Sequence, residues 1–147
     1  MDITTLIKAE HVFTLRFGDK VSLLKELAGR AAERTGIAAE TIAEALAARE
    51  ALGSTGVGQG VAIPHARIPG LQSFFTLFVK LERPIEFAAI DERPVDLIFL
   101  LLIPPEAGSV HLAALAAISR QLRRRETASV VRSAPDTVAI YKALTAP

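Results

Sequence analysis

One run of nine residues restricts the fold more than any other: Val95-Asp96-Leu97-Ile98-Phe99-Leu100-Leu101-Leu102-Ile103. Apart from Asp96 it is apolar at both alternating sets of positions. A strand made of it has two faces to hide from water. Pro104 and Pro105 end it. The expectation is a central strand with helices above and below. The run is far short of the ~20 apolar residues that a membrane span requires.

The flanking sequence supplies helices. Asp19 is placed to cap one, with Val21, Leu24, Leu27, Ala28 and Ala31 at helical spacing and Gly36 as its stop. A second runs from about Ala39 to Leu52, with Ile42, Ala45, Leu46 and Ala47 inward and Gly53 after it. A third covers about 109–124, with Ser109 as cap and Leu112, Leu115, Ile118 and Leu122 inward. Two shorter helices follow, Arg125 to Val131 and Asp136 to Leu144, the latter opened by Ser133 and Pro135. Strands are expected where apolar residues alternate, at 11–17 and 74–81, with a short edge strand at Ile85-Glu86-Phe87. His11, at the start of the first strand, reads as an exposed or edge histidine. Strand, two helices, several strands, then helices make an α/β chain: a mixed β-sheet sandwiched between α-helices. The 147 residues fit one domain, 1–147.

Several function classes fall away. A net charge of +1 gives no reason to expect nucleic acid or an anionic membrane as partner. Without cysteine there is no disulfide, thiolate catalysis or zinc-cysteine site. The N-terminus, Met1 to Lys8, lacks a basic region followed by an apolar core, so the expected location is the cytoplasm, without direct membrane insertion. His11, His65 and His111 stand far apart with no carboxylate cluster, which argues against a catalytic metal. No Gly-x-Ser-x-Gly marks a hydrolase nucleophile. The basic run Arg120-Gln121-Leu122-Arg123-Arg124-Arg125 carries no aromatics. It reads first as a solvated helix end and second as a dock for an acidic partner.

The chemistry concentrates in 49–67. Four glycines fall between Gly53 and Gly60, followed by the strand Val61-Ala62-Ile63, by Pro64, which ends it, and by His65 at its tip. No Lys-Ser or Lys-Thr follows the glycines, so the loop is not a Walker A motif. A helix precedes it, so it is not a Rossmann turn either. Two readings stand: a loop that needs positive φ angles, or a cradle of backbone N–H groups for an anion. In the second, Ser54, Thr55, Gly56, Gly58 and Gly60 are the candidate phosphate-binding positions. Arg49 is either a helix-ending cation in solvent or an anion ligand beside the loop. Neutral imidazole is a good nucleophile near neutral pH. Phosphoryl transfer needs little more than positioning and positive charge. His65 could attack while His111 and Arg49 hold the oxygens. An acceptor would have to fix the tautomer of His65, and the sequence does not identify it.

The stretch from Arg49 to His65 resembles the signature of enzyme IIA domains of the bacterial phosphoenolpyruvate-dependent phosphotransferase system, mannitol/fructose type, and looks closest to the stand-alone nitrogen-related branch. Pro84-Ile85-Glu86-Phe87, Ala89-Ile90-Asp91, Pro94-Val95-Asp96-Leu97 and His111-Leu112 extend the likeness over about 20–144. The resemblance implies a mixed sheet between helices. It implies that His65 accepts a phosphoryl group from the histidine phosphocarrier protein (HPr or a nitrogen-branch counterpart, NPr), and that His111 and Arg49 line the phosphohistidine site. It implies no metal and no organic cofactor. The output is then regulation of a kinase or transporter or, alternatively, transfer to a separate sugar-specific IIB component. Two departures stand out. Ala66 occupies a position where the family usually has glycine, and Gln59 one where asparagine is common. Alanine restricts the backbone at 66 if a positive φ is needed there.

Overall fold

The computed structural model describes residues 1–147. Six strands form one mixed sheet. They are β1 (Val12–Leu15), β2 (Gly56–Gly58), β3 (Val61–Ala62), β4 (His65–Arg67), β5 (Phe75–Ile85) and β6 (Val95–Ile103). Five helices cover it: α1 (Lys20–Thr35), α2 (Ala39–Ala51), α3 (Val110–Leu122), α4 (Arg125–Ser133) and α5 (Thr137–Thr145). The order across the sheet is β1-β5-β6-β3-β2, and β4 also pairs with β6. β6 is the axis: antiparallel to β5, parallel to β3 and β4.

The alternation within β6 sorts the core. Ile98, Leu100 and Leu102 join Leu23, Leu27, Ile42 and Leu46 of α1 and α2. Leu97, Phe99, Leu101 and Ile103 join Ile118, Val131, Ile140 and Leu144 of α3, α4 and α5. Side chains of a strand point alternately to opposite faces, so one strand feeds both layers. The expected sandwich is present.

Local chemistry sets most element ends. The Asp19 carboxylate accepts from the Ser22 N–H at 2.7 Å, and Gly36 ends α1 at φ 77°. Some expectations need correction. Ser109 makes no side-chain cap bond, and Leu112 is exposed because Ala114 and Ala117 take the inward positions of α3. In α1, Val21 is exposed and Leu23 is buried instead. The cap of α5 is Asp136, which accepts from the Ala139 N–H. No separate edge strand forms at 85–87; Ile85 closes β5, which runs through Pro84. His11 is buried, its ring 5.0 Å from that of Phe75, because the short helical turn 9–11 folds it onto the end of β5.

Candidate functional site

β3 and β4 lie along one side of β6 as an interrupted line. Val61 pairs with Leu97 and His65 with Leu101, so the register carries through Ile63 and Pro64 unchanged. Pro64 has no N–H to give to a ladder, yet its carbonyl accepts from Leu101 at 2.9 Å. The expected strand therefore stops at Ala62, and His65 opens β4 rather than standing at the tip of β3. His65 and Arg67, two residues apart on one strand, share a face, while Ala66 turns into the core beside α1 and α2. Ala66 is not among the residues with positive φ, so a β-carbon there carries no backbone strain.

The acceptor that the sequence could not identify is the Ile63 carbonyl, 2.7 Å from His65 Nδ1. A carbonyl only accepts, so Nδ1 carries the proton and Nε2 keeps its lone pair. Burial is the main cause that lowers the His65 pKa. The Ile63 hydrogen bond opposes it, and Arg49 adds to it. The ring is thus held neutral near neutral pH. Ile63 is itself fixed: its N–H donates to the Thr55 carbonyl at 3.0 Å. Thr55 donates its N–H to Glu50 Oε1 at 3.1 Å and its hydroxyl to Glu50 Oε2. Glu50 is ion-paired with Lys20 at 2.7 Å. A line of polar contacts therefore runs from α1 and α2 to the ring of His65.

Three further cationic or ionisable side chains meet His65 in a cavity of about 450 Å³. Arg49, in the last turn of α2, donates from Nη1 to the Gly53 carbonyl at 2.9 Å. Arg67 donates to the Pro105 carbonyl at 3.1 Å and to the Gly108 carbonyl at 2.7 Å. His111 Nδ1 lies 3.0 Å from the same Gly108 carbonyl and 3.3 Å from Arg67 Nη2. It can donate to the carbonyl or accept from the guanidinium, not both, and in the second tautomer Nε2–H is the donor that an oxyanion needs. Neither arginine has a carboxylate partner. Two uncompensated guanidiniums and two imidazoles, one with a free nucleophilic nitrogen, can hold and receive a dianion.

The glycine loop takes no part in that cavity. It is the two-residue hairpin joining β2 to β3, with Gln59 at φ 57° and Gly60 at φ 79°, the positive angles that such a turn demands. Three of its amides already have partners. Thr55 gives its N–H to Glu50, Gly56 to Ser54 Oγ at 3.0 Å, and Gln59 to Asp91 Oδ2 at 2.9 Å. The Ser54 hydroxyl donates to the Phe87 carbonyl. Gly58 lies against Asp91, and Gly60 against Asp96 and Arg132. Gly56 is glycine because a β-carbon would meet Ala89 Cβ at 2.7 Å. Of the two readings of the loop, the conformational one accounts for Gly58 and Gly60, and the close approach of Ala89 accounts for Gly56. Ser54 and Thr55 spend their hydroxyls on scaffold contacts with the Phe87 carbonyl and Glu50.

Of the sequence candidates, His65, His111 and Arg49 come together. Arg67, Glu50 and the Ile63 carbonyl were missed. Period two from His65 was a usable signal for Arg67; nothing in the sequence marked the other two. No group of three or more His, Asp or Glu side chains is arranged to hold a metal ion.

Comparison with known proteins gives this arrangement a context. The family model described as "Phosphoenolpyruvate-dependent sugar phosphotransferase system, EIIA 2" matches residues 5–146. The chain belongs to this EIIA 2 family. Among its relatives, a protein of Bradyrhizobium diazoefficiens called "Nitrogen regulatory protein" is 47% identical over 148 residues, which span 100% of this chain and 97% of that protein. One of the same name from Pseudomonas aeruginosa is 44% identical over 126 residues, 85% of this chain and 82% of that protein. The crystal structure of nitrogen regulatory protein IIA-Ntr from Neisseria meningitidis superposes with a TM-score of 0.91 at 31% identity, covering 97% of this chain and 99% of that one. Like the EIIA 2 fold it shares, the chain is a mixed sheet between helices, and none of its helices is long and apolar enough to cross a membrane.

Proposed function

We propose that His65 is a phosphoryl acceptor and that its phosphorylation state regulates what the protein binds. The observation that carries this reading is the pairing of a free Nε2, set by the 2.7 Å contact from Nδ1 to the Ile63 carbonyl, with two arginines that lack carboxylate partners. The donor is the phosphohistidine of a histidine phosphocarrier protein, HPr or its nitrogen-branch counterpart NPr. The lone pair on His65 Nε2 forms a new N–P bond as the donor N–P bond breaks, and the departing imidazole keeps that electron pair. Positive charge that develops on the His65 ring is stabilised at Nδ1–H by the Ile63 carbonyl. Arg49, Arg67 and His111 face the phosphoryl oxygens. Leu52, which lines this cavity, is 85% exposed and offers apolar surface to a docking protein. A phosphoryl group on His65 adds about two negative charges at that surface, enough to change which partner it accepts. The regulatory output is favoured by the relatives that span nearly the whole chain, which are named nitrogen regulatory proteins. The partner is then a kinase or transporter in the cytoplasm.

The test is incubation with phosphoenolpyruvate, enzyme I and the carrier protein. One acid-labile phosphoryl group is expected on the wild type and none on His65→Ala. Failure to label the wild type removes phosphotransfer. Onward transfer to a purified sugar-specific IIB component at a rate matching its own IIA would instead favour the transport role.

A further inference from the structure

A concentration of positive charge lies away from His65. A cleft of about 790 Å³ opens between the β5–β6 connection, the end of α3 and one face of α4. Its lining includes Arg93, Arg123, Arg125, Arg132, Asp96 and Ser129. Four arginines against one aspartate give a local charge of +3, while the whole chain carries +1. Arg125, Ser129 and Arg132 fall at i, i+4 and i+7 and so point from one side of α4. Arg132 is committed: its Nε and Nη2 grip Asp96 at 2.9 to 3.2 Å, and Nη2 also donates to the Gln59 carbonyl. That grip fixes α4 to the β2–β3 turn and to β6. Arg93, Arg123 and Arg125 form no ion pair. Glu126 shares the first turn of α4 with Arg125 but does not line the cleft.

Like charges brought together at a rigid surface repel one another, and a multivalent anion relieves that repulsion. The free guanidiniums come from three segments around one concavity, not from a linear stripe. That geometry suits a compact anion more than an extended acidic chain. Guanidinium forks match phosphate oxygens in pairs. The α4 N-terminus, which has no side-chain cap, adds the positive end of a helix dipole beside Arg125. No aromatic side chain lines the cleft, so nothing there would stack on a base. The volume lies in the range of small-molecule sites.

We propose that this cleft is a binding site for the phosphate chain of a small oligophosphate, independent of phosphoryl transfer at His65. The test is isothermal titration of the unphosphorylated full chain with inorganic tripolyphosphate. Wild type is compared with Arg123→Ala/Arg125→Ala and with Arg67→Ala, which removes an anion ligand at the other cavity. Both cleft substitutions are at exposed positions, and unchanged circular dichroism shows that the double variant is folded. Saturable one-to-one binding is expected, weakened by roughly tenfold or more in the double variant, since two guanidinium ligands are lost. It should also weaken between about 50 and about 200 mM salt, and be unchanged in Arg67→Ala. Adenosine triphosphate should bind no more tightly than tripolyphosphate. Absence of saturable binding overturns the proposal. So does full binding by the double variant, or loss of binding in Arg67→Ala. A glutamate peptide of equal charge that binds at least as tightly would assign the cleft to an acidic protein segment instead.

Discussion

His65 becomes a candidate acceptor because of where its proton is. A half-buried imidazole with Nδ1 on a carbonyl presents Nε2 in one tautomer, and its partial burial lowers its pKa. Its phosphorylation rate should therefore persist as pH falls through ~6.5, where an ordinary histidine begins to protonate. A rate from a fixed phospho-donor that halves at that pH contradicts this. Arg67 has a definite expected effect. Arg67→Ala should slow phosphorylation by roughly tenfold or more, because a charge-assisted contact to the oxygens is lost. Arg67→Lys should recover only part, since an ammonium lacks the planar fork. Quench-flow labelling measures both. The sequence could show that His65 followed a proline and that Arg49 ended a helix. It could not show the Ile63 carbonyl or the Glu50–Thr55 support, because those contacts depend on how the β2–β3 hairpin lies against α2.

The β2–β3 hairpin explains the glycines. Its two turn residues both need positive φ, and asparagine tolerates that conformation better than glutamine. Gln59→Asn should raise unfolding stability by up to about 1 kcal/mol in urea titration. Gly56→Ala should lower it by about 1–3 kcal/mol, because the new methyl would sit 2.7 Å from Ala89 Cβ and 2.9 Å from its Cα. Equal stability of Gly56→Ala and wild type would show that the close approach is not real. Helix ends were legible where a side chain caps locally, as Asp19 does. They were misread at Ser109 and Ser133, where a plausible residue stands but forms no cap. Leu112 was misassigned inward because helical spacing does not say which side of a stripe meets the sheet. The alanines do, once α3 packs closely on β6.

Across the whole molecule, the two-faced run of β6 determines the layers, and that much was readable from its continuous apolar character. The strand order was not, because pairing of β4 and β5 on either side of β6 is a long-range choice. The grouping of residues 49, 65 and 111 was expected from their chemistry and from the family resemblance, but the place of Arg67 beside them was not, because it follows from how β4 lies along β6. Burial and nearby cations lower the pKa values of His11 and His65. In both, burial is the larger cause. As pH falls below ~6.5 the unfolded chain binds protons at these sites that the native chain does not, so stability falls with pH in that window. The urea midpoint should be lower at mildly acid pH than at neutral pH, and His11→Gln should reduce that difference. The most direct measurement is long-range ¹H–¹⁵N correlation NMR of the protein phosphorylated through its carrier. The phosphoryl group should be bonded to Nε2 of His65, with Nδ1 protonated and its shift marking a hydrogen bond. A phosphoryl group on Nδ1, or on any other residue, would contradict the role assigned to the Ile63 carbonyl and to the cavity around it.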